Sequence, residues 1–296
     1  MRTPVVRVCL AILLLSAIAG VSAAQLTNPD TVFVTAAVTG PKNMEIPLMP
    51  VRSFHLFEDG VEQKITTFVE PESSWDINIL LANSQLRPGR IDGLSAAIRD
   101  AAEAFRHTAN PRHSVRVQEL PFGSTGMYAA IDDHLVDLQK SSNPRRALIV
   151  ITDGFDRQYQ PPGGSTSDLS SSYENSAPGK LVEYSKHLNI PIFFIFSFDG
   201  LGQTLTNAEL RDKDILTTVS EQTGGKLEVV DTYGRLLPHC KELAEELRGR
   251  YLLGFVSTNP KKDNKWRNLR LKVDPQDGEK RDVQIKKKYF VSKPRK

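Results

Sequence analysis

Three apolar runs, Ile77 to Leu81, Ala147 to Ile151 and Ile190 to Phe198, alternate with stretches whose apolar residues recur at helical spacing. No other feature constrains the fold as much. Strands of this kind are buried on both faces, and helices interleaved with them in sequence supply the cover. The first helical stretch carries Ile91, Leu94, Ile98, Ala101 and Phe105, the second Met127, Ile131, Leu135 and Leu138, and the third Leu181, Tyr184 and Leu188. A fourth, near Asp212 to Gln222, ends at Gly224-Gly225, and a strand over Lys226 to Val230 leads into a last helix over Arg235 to Arg248. The pattern predicts a parallel sheet with helices on both faces over residues 75–249.

Both flanks read as β structure. Thr31 to Thr39 is rich in β-branched residues, and Phe54 to Phe57 and Val61 to Phe68 form a hairpin around Asp59-Gly60, where the turn needs a glycine's positive φ. After the last helix, Arg250 to Val256, Arg267 to Val273 and Val283 to Val291 read as three more strands. The segments 24–74 and 250–296 are expected to pack on each other as one discontinuous module, because lone hairpins are marginal in water. From Lys261 onward, 14 Lys or Arg face 5 acids. In Arg267 to Val273 these cations alternate outward with inward apolar residues, as on the solvated face of an edge hairpin. No interleaved aromatic ladder supports nucleic acid as a partner.

Residues 1–23 read as a signal peptide. Arg2 and Arg7 form a basic start, Val8 to Ala19 an apolar run, and Val21-Ser22-Ala23 a small-residue cleavage site ahead of Ala24 or Gln25. The apolar stretch is shorter than the roughly 20 residues of a bilayer crossing. Cleavage and a secreted or periplasmic location are therefore expected, with an uncleaved tether as the alternative. The formal net charge of +3 includes Arg2 and Arg7, so the remainder is nearly balanced and implies no polyanionic partner by itself. Only Cys9 and Cys240 are present, so no disulfide framework exists. Cys240 shares a helical face with Leu236, Leu237, Leu243, Ala244 and Leu247 and reads as a small buried residue.

Ser53 to Phe68, Gly123 to Tyr128, the strand ending Ile151-Thr152-Asp153-Gly154 and Leu247 to Phe255 together resemble the von Willebrand factor A-related domain proteins common in Acidobacteria. The resemblance implies a Rossmann-like A domain flanked by β segments, with a metal-ion-dependent adhesion site in its carboxyl-end loops. It implies a binding module, not an enzyme. It also implies a sheet truncated at one edge, because only Pro111 to Phe122 stand where relatives carry a hairpin and a helix. That leaves room for one strand near Ser114 to Glu119.

On the positions of that resemblance the metal site is degenerate. A Mg²⁺-type ion wants six oxygens, which an A domain draws from an Asp-x-Ser-x-Ser loop, a Thr and a further Asp. Here Ala82 and Leu86 stand in place of the first Asp and second Ser, leaving Ser84, Thr125 and Asp153 as a remnant. No cofactor is expected, or weakly held Mg²⁺ at most, with Asn83 and Asp156 the residues whose loops would have to shift to rescue it. Asn83, Ser84, Thr125, Asp153, Phe155, Asp156 and Tyr159 are the candidate ligand-binding residues. Gln158 to Gly179, rich in Gly, Pro and Ser, reads either as disordered or as a recognition loop beside them.

Other chemistry is not signalled. His55, His107, His113, His134, His187 and His239 are scattered, and no nucleophile elbow, phosphate loop or zinc motif is present. The chain therefore reads as a non-enzymatic binding, adhesion or scaffold module with a protein or glycan partner, and with no nucleic acid or stable membrane span. The alternatives are a structural part of an envelope assembly that uses its sheet edges, and last a hydrolase with Asp156 beside Asp153. Oligomeric state is left open.

Overall fold

The computed structural model of the chain describes residues 30–40, 48–82, 91–120, 126–154, 156, 176–197, 207–230, 233–274, 278 and 280–293. The chain begins with β1 (Thr31–Thr39), β2 (Phe54–Glu58), β3 (Val61–Gln63) and β4 (Ile65–Val69). Strand and helix then alternate through β5 (Asp76–Ala82), α1 (Ile91–Thr108), β6 (Ser114–Glu119), α2 (Met127–Gln139), β7 (Arg146–Thr152) and α3 (Ala177–Ser185). The alternation continues through β8 (Ile192–Ser197), α4 (Asn207–Thr223), β9 (Leu227–Val230) and α5 (Leu236–Arg248). It closes with β10 (Tyr251–Val256), β11 (Lys265–Val273), β12 (Asp282–Gln284) and β13 (Lys288–Val291). Among the described residues no helix is long and apolar enough to cross a membrane.

The apolar runs become neighbours in a parallel sheet of order β6-β5-β7-β8-β9. Alternate residues of each strand go to opposite faces. Ile77, Ile79, Leu81, Ile149 and Ile151 pack under α1 and α5 with Phe105, Leu243 and Leu247, while Leu80, Leu148, Val150 and Phe194 pack under α2, α3 and α4 with Ile131, Leu181 and Leu216. Burying each such side chain stabilises by about 1.5–3 kcal/mol, so these two layers hold the domain. Local rules set the helix ends. Ser176 caps α3 by accepting from the Gly179 N–H at 3.3 Å, with a proline in the first turn. The segment 176–179, expected to belong to the long insertion, is thus the start of a helix. Leu188 lies beyond that helix, and Leu237 is 38% exposed, off the buried face that Cys240 shares with Leu236 and Leu243.

The outer segments form two antiparallel sheets, β12-β1-β10-β4 and β13-β11-β2-β3, around a core of Val34, Leu56, Leu253, Phe255, Leu271 and Val291. The turn between β2 and β3 has positive φ at both Asp59 and Gly60, the geometry a tight hairpin requires. Two expected single strands are in fact broken by sheet changes. Residues 61–68 divide at Lys64, where β3 stays with β2 and β4 crosses to β10. Residues 283–291 divide into β12 beside β1 and β13 beside β11, with Lys286 buried at the crossover against Gly224. Arg267, expected outward, points inward. It is 3% exposed and pairs with Glu58 at 2.7 Å, and Glu58 also accepts from Tyr289 Oη at 2.6 Å. An unpaired charge in that core would cost several kcal/mol, about 3–5 on loss of one partner, so the three groups come as a set. Burial and the Glu58 hydrogen bond push the Tyr289 phenol far above its usual range.

The chain leaves the sandwich after β4 and returns to it at β10, and both crossings meet one buried guanidinium. Arg145 donates from Nη1 to the Glu70 carbonyl at 2.5 Å and from Nη2 to the Arg250 carbonyl at 2.7 Å, with its Cζ 4.6 Å from the Trp75 ring. The crossings also bind each other, through Glu72 N–H to the Arg248 carbonyl at 3.0 Å and an Arg248–Glu72 ion pair at 3.0 Å. Burial lowers the Arg145 pKa to about 10, so it keeps its charge at neutral pH. Arg250, 1% exposed, adds a second tie: it pairs with Glu246 and donates to the Gly224 carbonyl at 3.3 Å.

Beside this junction lies His113, whose pKa is lowered to about 4 by burial and then by Arg145 and Arg248. The unfolded chain takes up the proton near the ordinary value of 6.5, and the folded chain resists it. Stability contributed by the neutral ring is therefore fully present above pH 6.5 and is lost as pH falls toward about 4. Melting temperature followed from pH 7 to 4 is expected to fall less steeply in His113→Gln than in the parent. Equal slopes would show that this ring does not carry the acid sensitivity.

Candidate functional site

Among the parallel strands the spatial order is second, first, third, fourth, fifth in chain order, so the topology reverses between β5 and β7. In an open α/β sheet, ligands bind outside the carboxyl ends of the strands at that reversal. Here the crevice lies where Ala82, the last residue of β5, pairs with Thr152, the last of β7. Asp153 follows directly and is half-buried.

Each described position around this crevice has a structural commitment. Ala82 is 3% exposed and belongs to the apolar layer that holds Met127 and Tyr128 of α2. Thr152 Oγ1 accepts from the Gly154 N–H at 2.9 Å and lies 3.1 Å from Met127 Sδ. Gly154 has φ +78° and passes so close under Phe196 that a Cβ would sit 2.4 Å from the ring, so only glycine fits there. Asp156 is 6% exposed, and its Oδ2 accepts from the Tyr128 N–H at 3.1 Å. The α2 helix starts from Gly126 in the left-handed conformation and has no side-chain cap of its own. Asp156 thus serves from another loop as the acceptor that an N-cap would supply, and its negative charge suits the positive end of the helix dipole.

Of the expected ligand-binding residues, Asp153 follows the Thr152 that pairs with Ala82, and Asp156 holds the start of α2. Asn83, Ser84, Leu86, Thr125, Phe155 and Tyr159 lie outside the described residues, as does most of the insertion from Gln158. Among the described residues no three His, Cys, Asp or Glu side chains gather closely enough to hold a metal ion. The sequence reading missed why Asp156 is placed where it is. Its signal was the helix itself, since Gly126-Met127-Tyr128 offers no capping side chain at the start of a strong amphipathic stretch. Cys240 is 1% exposed in the layer under α5, and burial, with Glu228 nearby, pushes its thiol up to about 12, which removes it as a nucleophile.

The chain matches no protein-family model and no curated protein sequence. Solved structures resemble it in chain path. A von Willebrand factor type A structure from Catenulispora acidiphila is 9% identical, with a TM-score of 0.43 over 89% of this chain and 73% of its own. The PilB minor pilin from Streptococcus sanguinis is 11% identical, with a TM-score of 0.40 over 60% of this chain and 62% of its own. The pilus adhesin SpaC from Lactobacillus rhamnosus GG, in its open conformation, is 9% identical, with a TM-score of 0.37 over 85% of this chain and 47% of its own. This chain spans less than two thirds of the pilin and less than half of the adhesin. Such distant likeness concerns arrangement alone.

The capping role of Asp156 has a measurable consequence. Asp156→Ala is expected to lower unfolding free energy by about 1 kcal/mol, the usual cost of losing a helix cap, and Asp156→Asn by less, because its amide oxygen still accepts. Denaturant titrations that found Asp156→Ala as stable as the parent would remove the carboxylate from this role.

Proposed function

We propose that the chain is a non-enzymatic binding or adhesion module, exported to the periplasm or beyond, that engages its partner without a metal ion. The observation that supports this most is the Asp156–Tyr128 hydrogen bond. The carboxylate that could have replaced the missing ligand, or served a hydrolase as a second acid beside Asp153, already holds the first turn of α2, and Ala82 fills the first ligand position with a buried methyl. Mg²⁺ sheds its water shell reluctantly and is usually held by one or two carboxylates together with further charged oxygens. Asp153 with the hydroxyls of Ser84 and Thr125 is a poor set for it. The partner in this reading is a protein or a glycan.

One observation favours assembly through sheet edges as a second reading. β6 is the terminal strand of the parallel sheet, pairs only with β5 among the described residues, and is largely exposed. An unpaired strand edge is a template for a strand from another chain.

Thermal melts with Mg²⁺ or Mn²⁺ separate the metal-free reading from its opposite. A ligand at 100 times its dissociation constant stabilises by about 2.7 kcal/mol, a readily seen shift. Millimolar Mg²⁺ is expected to leave the parent unmoved and to raise the melting temperature of Ala82→Asp/Leu86→Ser. A shift in the parent that Asp153→Ala abolishes would contradict metal independence.

A further inference from the structure

The outward face of the β13-β11-β2-β3 sheet carries a feature that the linear sequence hides. Inward residues of β11 are Arg267, Leu269 and Leu271, all buried, so Trp266, Asn268, Arg270 and Lys272 face out. Register then sets Trp266 beside Phe290, Asn268 beside Lys288, and Arg270 beside Phe57. Arg270 Cζ lies 4.9 Å and Lys272 Nζ 5.4 Å from the centre of the Phe57 ring, and Lys288 Nζ lies 4.7 Å from that of Trp266. Three strands therefore assemble an aromatic and cationic surface that no one of them shows alone.

Edge protection accounts for Lys288 on the terminal strand β13 but not for Arg270 and Lys272. β11 is an interior strand of its sheet, and charges that guard against aggregation belong on edges. Nor are the cations taken up by direct ion pairs. Among the described residues Arg270, Lys272 and Lys288 have no acid within ion-pair distance; Glu62, beside Phe57 in register, and Asp274 hold His55 at 2.7 and 3.1 Å, and Asp59 accepts from the Asn268 N–H at 2.8 Å. Two residues along a strand and one strand across set the cations about 7–8 Å apart. That spacing suits successive charges of a linear polymer, whereas a single small anion needs donors that converge.

We propose that this face binds a linear acidic polysaccharide, through Arg270, Lys272 and Lys288, with the edges of Phe57 and Trp266 supporting its sugar rings. A nucleobase needs an open aromatic face, and here cations lie against the rings. Membrane docking needs apolar side chains that project, and these rings are half-buried. A hydrated, charged glycan makes neither demand. This surface is separate from the crevice at the β5 and β7 ends, so the proposal does not depend on how that crevice works.

The test uses the full chain and polygalacturonate as the probe, at low and at physiological salt, with neutral dextran, an oligothymidylate and phosphatidylglycerol vesicles alongside. Expected is salt-sensitive binding of polygalacturonate with a change in tryptophan fluorescence. Arg270→Gln/Lys272→Gln/Lys288→Gln, with its melt checked against the parent, should weaken binding by at least about tenfold, and Lys241→Gln at an exposed position of α5 should not. The proposal is overturned if the triple variant binds as well as the parent, if the parent ignores polygalacturonate at low salt, or if the oligonucleotide or the vesicles bind more tightly than the glycan.

Discussion

A single buried guanidinium is the constraint on which the architecture depends. A sandwich whose strands come from both ends of the chain needs its two entry points held together, and Arg145 reaches the carbonyls of Glu70 and Arg250 at once while stacking on Trp75. Burying a lone cation is costly. It persists here because three carbonyl contacts, the third to Leu247 at 3.5 Å, and an aromatic face replace its water. Closing a long loop costs little more than closing a short one, since the entropy grows only with the logarithm of length. The α/β domain can therefore be inserted within the sandwich without great penalty, provided the two crossings stay in register.

The parts of the fold that were legible in sequence are those governed by a local period. The strands at 76–82 and 146–152 and the helices at 91–108 and 127–139 follow from apolar spacing, because burial leaves few alternatives, whereas the edge strand at 114–119 was expected only from the space the family resemblance leaves there. What escaped was long-range polar pairing. Arg267 looked like a solvated strand residue because nothing nearby in sequence announces Glu58, more than two hundred positions away. Residues 61–68 and 283–291 each looked like one strand, yet Lys64 and Lys286 lie where the chain changes sheet. At the carboxyl-end crevice the missing Asp at Ala82 was plain, whereas the capping of α2 by Asp156 required knowing that the β7 loop folds over the helix start.

These two kinds of interaction share the work of holding the scaffold. Apolar layers and buried polar sets fix the scaffold, and they consume a side chain that looked available for chemistry, Asp156. Among the described residues, the edge of β6 and the outward face around Arg270 remain exposed.

The central claim is that sandwich and α/β domain form one cooperative unit joined at Arg145. Native-state hydrogen exchange resolves this directly, since opening free energies report which segments unfold together. In the parent, amides of β10 and β7 are expected to share the same slowest opening, and in Arg145→Met those of β10 should exchange through an opening of lower free energy. A sandwich that opens well before β7 in the parent, or an Arg145→Met chain in which the two remain matched, would contradict the account.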